Sequence, residues 1–274
     1  MTEMQIRLVK ILEWFNDFCV LHHLKYYMLG GTMLGAVRHG GFIPWDDDID
    51  VGLPRKDYEK FLVLTKGAQF GDFVTEGIDT PNKDFFYGYA KIYDTKSTLV
   101  ENNRYKIKRG IYIDVFPIDG VANSSEEINS YISPIFSKRN LSLARSCGIR
   151  KGRKWYKNAS VCFARLIPNF IIDNKKLMLS VDNMCKQRDY DDYSIVGNLY
   201  GAWGRKEIME KNIFGNPMLY NFEGIKAYGV EDYDRYLTSL YGDWRKLPPK
   251  EKQITHHDFL ECDLRKSYLN DLDD

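Results

Sequence analysis

Four aspartates fall within five positions of the stretch FIPWDDDIDVGL, residues 42 to 53. Mutual repulsion and desolvation make such a cluster costly unless solvent or a cation relieves it, so the stretch reads either as a wet surface loop or as a cation site. From Asp48 onward the residues alternate. Asp48, Asp50 and Gly52 fall on one side of a strand while Ile49, Val51 and Leu53 fall on the other, which puts two carboxylates on one face. A calcium loop beginning at Asp46 would also use Asp46, Asp48 and Asp50. Its sixth position is Val51 where glycine is needed, its twelfth is Asp57 rather than Glu, and GGFIP stands where a helix should precede it.

Two more pieces bear on the same chemistry. Gly30-Gly31-Thr32 follows a short apolar run and opens a helical one. Glycine lets backbone N–H groups approach a phosphate, and a helix N-terminus favours negative charge, although an ordinary turn has the same composition. Asp114 lies inside the apolar strand IYIDVF, where an unpaired carboxylate is expensive. A salt bridge to a nearby Lys or Arg is one way to compensate for it. The other is convergence: if this strand pairs beside the Asp48 strand, three carboxylates meet. That is the ligand set for one or two Mg²⁺ ions, which neutralise phosphate charge and orient an attacking hydroxyl.

The elements that must position these residues follow from periodicity. Leu8, Ile11, Leu12, Phe15, Phe18 and Cys19 recur at helical spacing and predict an amphipathic helix over residues 3 to 23. KYYML predicts a strand ending at Gly30-Gly31, and TMLGAVRH a helix with Thr32 as its N-cap. Pro54 leaves the aspartate strand and suits the first turn of a helix through RKDYEKFLVLTK. DFVTEG, YGYAKIYD, STLVEN and GIYIDVFPID alternate as strands do. Residues 124 to 190 lack that alternation and predict helices with basic faces; from NLYGAW onward, helices are expected to alternate with loops. The class expected is α/β or α+β, a mixed sheet flanked by helices with a mostly helical insertion.

The 274 residues carry a formal net charge of +1, which argues neither for nor against a polyanionic partner. Its distribution is more informative. From Ile128 to Ile172 there is no Asp or Glu but there are nine Lys or Arg. Mixed with Leu, Ile, Trp and Phe, this run suits an anionic membrane surface or a lipid-linked pyrophosphate acceptor, and equally a solvated helical face. No recognisable RNA or DNA module accompanies it, so nucleic acid is not an expected partner. Five widely spaced cysteines, without CxxC or Cys/His zinc spacing, suit reduced thiols in the cytoplasm. Charged residues interrupt the N-terminal apolar run, which fits neither a signal peptide nor a membrane span; a soluble or peripherally attached protein is expected.

The long block YYMLGGTMLGAVRHGGFIPWDDDIDVGLPRKDYEKF closely resembles the signature of the LicD family of bacterial phosphotransferases, related to the fukutin-related proteins of animals. GYAKIYDTKSTLVEN, GIYIDVFPIDG, FEGIKAYGVEDYDRYL and YGDWRKLPPKEKQITHH also look like family blocks, about two thirds of the chain in all, whereas residues 124 to 190 match nothing recognisable. The resemblance implies a nucleotidyltransferase-like fold. It divides the chain into a catalytic core over 1–123, a helical basic insertion over 124–190 and a C-terminal helical part over 191–274 that completes the active site. It implies that Gly30 and Gly31 hold phosphate, that Asp48 and Asp50 bind Mg²⁺, that Asp114 is the third acidic position, and that Asp46 is an additional or supporting ligand. It also implies a reaction: a phosphorylated alcohol, typically phosphocholine from CDP-choline, passes to a hydroxyl of a glycan precursor of the cell surface, with Asp114 as the available proton acceptor.

Around that centre Thr32, Arg38 and Lys91 are candidate phosphate contacts, although a solvated charge fits Arg38 and Lys91 as well. His256 or His257 is a candidate proton shuttle or substrate contact. Trp45, Tyr87, Tyr89 and Trp203 are the aromatic candidates for caging a quaternary ammonium. Three rivals stay open: donors carrying ethanolamine, glycerol or ribitol phosphate, a nucleotidyltransferase acting on nucleoside triphosphates, and a scaffold that binds metal or phosphate without catalysis.

Overall fold

The computed structural model describes residues 1–148, 155–255 and 259–271. In chain order the helices are α1 (Glu3–Leu21), α2 (Gly30–His39), α3 (Arg55–Thr65), α4 (Ser125–Ser146), α5 (Trp155–Leu166), α6 (Asn174–Cys185), α7 (Lys211–Phe214) and α8 (Tyr233–Tyr241). The strands are β1 (Tyr27–Met28), β2 (Asp50–Pro54), β3 (Gln69–Phe70), β4 (Phe73–Glu76), β5 (Ala90–Asp94), β6 (Thr98–Glu101), β7 (Lys108–Arg109), β8 (Tyr112–Ala122), β9 (Ile195–Gly197), β10 (Ile208–Glu210), β11 (Met218–Phe222), β12 (Ile225–Gly229) and β13 (Phe259–Asp263). The main sheet runs β11-β12-β1-β2-β8-β5-β4-β3, with β9 on the far half of β8 and β10 beside β9; β13, β6 and β7 form a second small sheet. β1 with β12 and β2 with β8 are parallel pairs, and the other pairings are antiparallel. This is the mixed α/β architecture the sequence predicts.

Burial follows the alternation read from the chain. Ile49, Val51 and Leu53 are fully buried, as are Ile113 and Val115 on the neighbouring strand. α1 lays Leu8, Ile11, Leu12, Phe15 and Cys19 against this core. Its start is fixed by a reciprocal cap: Thr2 Oγ1 accepts from the Gln5 N–H at 3.1 Å, and the Thr2 N–H donates to Gln5 Oε1 at 2.8 Å. Gln5 also reaches the aspartate loop, its Nε2 donating to the Asp46 carbonyl at 2.9 Å.

Three expectations need correction. The region after residue 190 is not helices alternating with loops, because β9 to β13 arise there and four of them, β9 to β12, join the main sheet. Thr32 does not cap α2. The helix begins at Gly30 with Leu29 at the cap position, and the Thr32 hydroxyl instead accepts from the Asp50 N–H at 2.8 Å, stitching α2 to the aspartate strand. The basic faces expected over 124 to 190 are partly internal. Arg139 donates to the carbonyls of Leu199 and Gly201 at 2.8 and 3.1 Å, and Arg145, fully buried, spends its guanidinium on the carbonyls of Ala164, Ile167 and Ile172.

A buried charge network fastens this helical segment to the sheet. Arg55 at the start of α3 grips Asp119 of β8 through two bonds of 2.6 and 2.9 Å and Asp182 of α6 through a third of 2.9 Å. All three side chains are nearly inaccessible to solvent.

Candidate active site

The strand register brings the acidic residues together. β2 and β8 are parallel with Asp50 opposite Asp114, and β5 is antiparallel to β8 with Lys91 opposite Asp114. Partners directly across a ladder point to the same face of a sheet, so Asp50, Asp114 and Lys91 form one polar row over three adjacent strands. Glu76 of β4 continues it opposite Lys91 and is held by Arg109 at 3.0 and 3.1 Å. The backbone closes the same seam: the Asp114 N–H donates to the Ile49 carbonyl and the Leu29 N–H to the Asp50 carbonyl, both at 2.9 Å.

The glycine turn stands directly over this row. A Cβ added to Gly30 would lie 3.4 Å from Asp50 Oδ2, and one added to Gly31 would lie 2.8 Å from Asp46 Oδ2. Gly30 also has a φ of +50°, a conformation that favours glycine. Its N–H donates to the Tyr236 hydroxyl at 2.9 Å. Gly31 and Thr32 are first-turn residues whose N–H groups have no helical carbonyl behind them, so the positive end of α2 faces the carboxylates. Gln5 on the Asp46 carbonyl and Thr255 on the Asp47 carboxylate, at 2.8 Å, brace the loop from two sides.

Electrostatics single out Asp50. Burial, followed by the repulsion of Asp48, Asp114 and Asp46, pushes its carboxyl well above the usual carboxylate range. Burial also raises Asp114, while Lys91 pulls it back. Both side chains keep some exposed surface, 18% in Asp114, so they sit deep but reachable from solvent. Such hard oxygen donors, crowded and under-compensated, suit Mg²⁺. Among the described residues no three His, Cys, Asp or Glu side chains form a ready-made metal cage. Mg²⁺ commonly takes one or two carboxylates and completes its shell with water and substrate phosphate oxygens, which fits the adjacent pair here.

Lys91 is 1% exposed and lies 2.7 Å from Asp114 Oδ1. Its ammonium stands 3.4 Å from the centre of the Tyr112 ring, 4.4 Å from that of Tyr87 and 5.5 Å from that of Tyr89. The Tyr87 and Tyr112 hydroxyls both donate to Glu101, at 2.5 and 2.6 Å. Of the two ways to compensate Asp114, the salt bridge is therefore present. Two of the proposed choline-cage aromatics, Tyr87 and Tyr89, surround the protein's own cation. Of the other two, Trp45 packs on the core directly before Asp46, and Trp203, 44% exposed, meets Tyr241 edge-on. The Arg38 guanidinium donates to the Trp244 carbonyl at 2.8 Å and to His39 at 3.0 Å, tying α2 to the C-terminal segment. His256 and His257 lie outside the described residues.

Two residues at this corner escaped the sequence reading. Tyr241 places its hydroxyl 3.8 Å from the Gly30 Cβ position, and Asp50, Asp46 and Asp48 add to burial in holding it protonated. Its signal was its place in the block beginning YGDWRKL. Glu207 is buried behind the turn at 198–203, where it accepts from the Trp203 N–H at 2.8 Å, and its charge reaches Asp50.

Burial lifts the Glu207 carboxyl from 4.5 to about 7, against the opposing Trp203 N–H bond and Arg139. A carboxyl raised on folding contributes stability that is complete below its unfolded value and is lost as pH rises through the folded one. Glu207→Gln should therefore match wild type near pH ~4 and exceed it near pH ~8, by up to about 3 kcal/mol. Urea midpoints at the two pH values check this; parallel curves would contradict it.

A mixed sheet carrying a paired carboxylate row under a glycine-opened helix is an arrangement suited to holding a metal-bound phosphate. A family model described as LicD/FKTN/FKRP, nucleotidyltransferase domain, matches residues 23–141. The chain is 30% identical over 260 residues to the lipopolysaccharide cholinephosphotransferase LicD of Haemophilus influenzae, covering 93% of this chain and 95% of that protein. Over 53 residues, 19% of this chain and 10% of the relative, it is 43% identical to the ribitol 5-phosphate transferase FKRP of human and of mouse. The chain belongs to the LicD/FKTN/FKRP family and is a phosphotransferase.

Proposed function

We propose that this enzyme transfers phosphocholine from CDP-choline to a hydroxyl of a cell-surface glycan precursor, such as a teichoic acid, and releases CMP. The observation that carries the reading is similarity to a cholinephosphotransferase across nearly the whole of both chains. Asp50 and Asp114, with Asp48 and Asp46 beside them, would hold Mg²⁺, which when bound neutralises the diphosphate and stabilises charge on the leaving phosphate. The first-turn N–H groups of Gly31 and Thr32 receive a phosphate oxygen at the positive end of α2. The acceptor oxygen attacks the choline-bearing phosphorus, the bond from that phosphorus to the bridging oxygen breaks, and CMP leaves with the electron pair. Asp114 takes the hydroxyl proton, and Lys91 keeps its carboxylate oriented toward the row.

We place this reaction in the cytoplasm, where the five free cysteines fit and CDP-linked donors are accessible. Among the described residues no helix is long and apolar enough to cross a membrane. The test is product analysis with CDP-choline, Mg²⁺ and a glycan acceptor. CMP and a phosphocholine-bearing glycan are expected. Transfer from CDP-ribitol alone would move the donor toward that of the ribitol phosphate transferase relatives. Pyrophosphate release from a nucleoside triphosphate, or no product from any donor, would overturn the reading.

A further inference from the structure

Helix α5 carries apolar residues on two sides, and only one is covered. Val161 and Ala164 are buried where the helix rests on α4. Trp155, Phe163 and Leu166, spaced as one helical face, are 81%, 75% and 75% exposed. The turn that follows adds Phe170 at 88% and Ile171 at 63%. Five large apolar side chains this exposed on one helix and the turn after it are uncommon on a soluble surface without a partner.

The display is built. Arg145, fully buried on α4, donates to the carbonyls of Ala164, Ile167 and Ile172 at 2.9, 2.7 and 2.8 Å, and to Asn169 Oδ1 at 3.0 Å. One internal guanidinium thus fixes the end of α5 and the turn that holds Phe170 and Ile171 outward. Arg165 adds a bond from its own guanidinium to the Cys147 carbonyl.

Charge selects the occupant. No Asp or Glu occurs from residue 128 to residue 172. Of the nine basic residues there, Arg139 and Arg145 are consumed internally, while Arg150, Lys151, Arg153 and Lys154 immediately precede Trp155 in sequence and Lys157 follows it. We propose that α5 and the turn after it are an interfacial anchor that docks this enzyme on an anionic bilayer surface, with Trp155, Phe163, Leu166 and Phe170 entering the headgroup boundary. At 12 residues α5 is too short to span, and an amphipathic helix with aromatic residues and a basic neighbourhood lies in the plane of the interface. The anchor adjoins the catalytic side of the fold, since the Arg104 N–H donates to the Ser146 carbonyl at 2.7 Å and Asn103 bridges to Cys147, three residues or fewer from Glu101 and its tyrosines.

The proposal stands whether or not phosphocholine is the group transferred, because its test reads binding. The full chain is sedimented with vesicles of phosphatidylcholine alone and with added phosphatidylglycerol. Binding is expected to the anionic vesicles, to weaken with salt because each basic residue contributes about fivefold, and to fall at least about tenfold in F163S/L166S/F170S, since each removed apolar side chain takes its area from the interface. In the same vesicles, brominated lipid should quench wild-type fluorescence more than that of W155F. These exposed positions are outside the catalytic row, so far-ultraviolet circular dichroism and CMP release with a soluble acceptor should match wild type. No binding to anionic vesicles overturns the proposal, as does undiminished binding of the triple variant. A wild-type dimer that the triple variant dissolves, without vesicle binding, would assign the face to a second copy and overturn it as well.

Discussion

Asp50→Asn is expected to lower the transfer rate by about 10³-fold while leaving the fold intact. Asp50 is the carboxylate on which the arrangement converges: it is the ladder partner of Asp114, its Oδ2 lies against the Gly30 turn, and Asp48 and Asp46 crowd it from the loop. Asparagine keeps the shape and removes the charge that would hold a divalent cation. It also removes a repulsion. A carboxyl raised this far by burial and like charges costs stability at neutral pH, so the melting temperature of Asp50→Asn without metal should equal or exceed that of wild type. Loss of rate together with preserved or raised melting temperature separates a catalytic defect from a folding one; a rate within a few-fold of wild type would remove Asp50 from the chemistry.

The second large effect concerns stability. Arg55→Met should cost about 3–5 kcal/mol, because it strands Asp119 and Asp182 in the interior without their shared cation. For a chain of this size that corresponds to a fall in melting temperature of roughly 6–20 °C. The defect has a pH signature. Burial raises Asp119, and Arg55 is the group that opposes it, so without Arg55 the carboxyl rises further and the native state loses more stability as pH increases through the new value. Adding Asp119→Asn should recover part of the loss by removing the unpaired charge. Thermal melts of the single and double variants at acidic and alkaline pH check both statements, and a single variant as stable as wild type would show the network to be idle.

The carboxylate row was legible because its two strands announce themselves by alternation. Ile49, Val51 and Leu53 on one strand and Ile113 and Val115 on the other must be buried, which turns Asp50 and Asp114 to the opposite face. Local sequence did not specify the register that sets Asp114 between Asp50 and Lys91; that comes from two tertiary pairings, the one to Asp50 across more than sixty residues. The same limit hid the C-terminal strands. β11 is an edge strand with Met218 and Leu219 exposed, so its apolar pattern does not mark a buried face, and β12 gains its identity by pairing with β1 from the other end of the chain. The basic run misled for another reason: Arg139 and Arg145 read as surface charge in sequence, yet each finds enough carbonyls to be buried. Lys91 was ambiguous between phosphate contact and solvated charge; it is buried rather than solvated, and its position opposite Asp114 sets its partner within the protein.

The central claim is that Asp50 and Asp114 act together on a divalent cation set against the donor diphosphate. Its most direct measurement is CMP release from CDP-choline in the presence of a glycan acceptor, with EDTA and then with Mg²⁺ titrated back, for wild type, Asp50→Asn and Asp114→Asn. The account predicts that EDTA stops the wild-type reaction, that Mg²⁺ restores it along a saturable curve, and that neither variant recovers at any Mg²⁺ concentration. Full wild-type turnover in EDTA, or recovery of both variants to the wild-type rate, would contradict it.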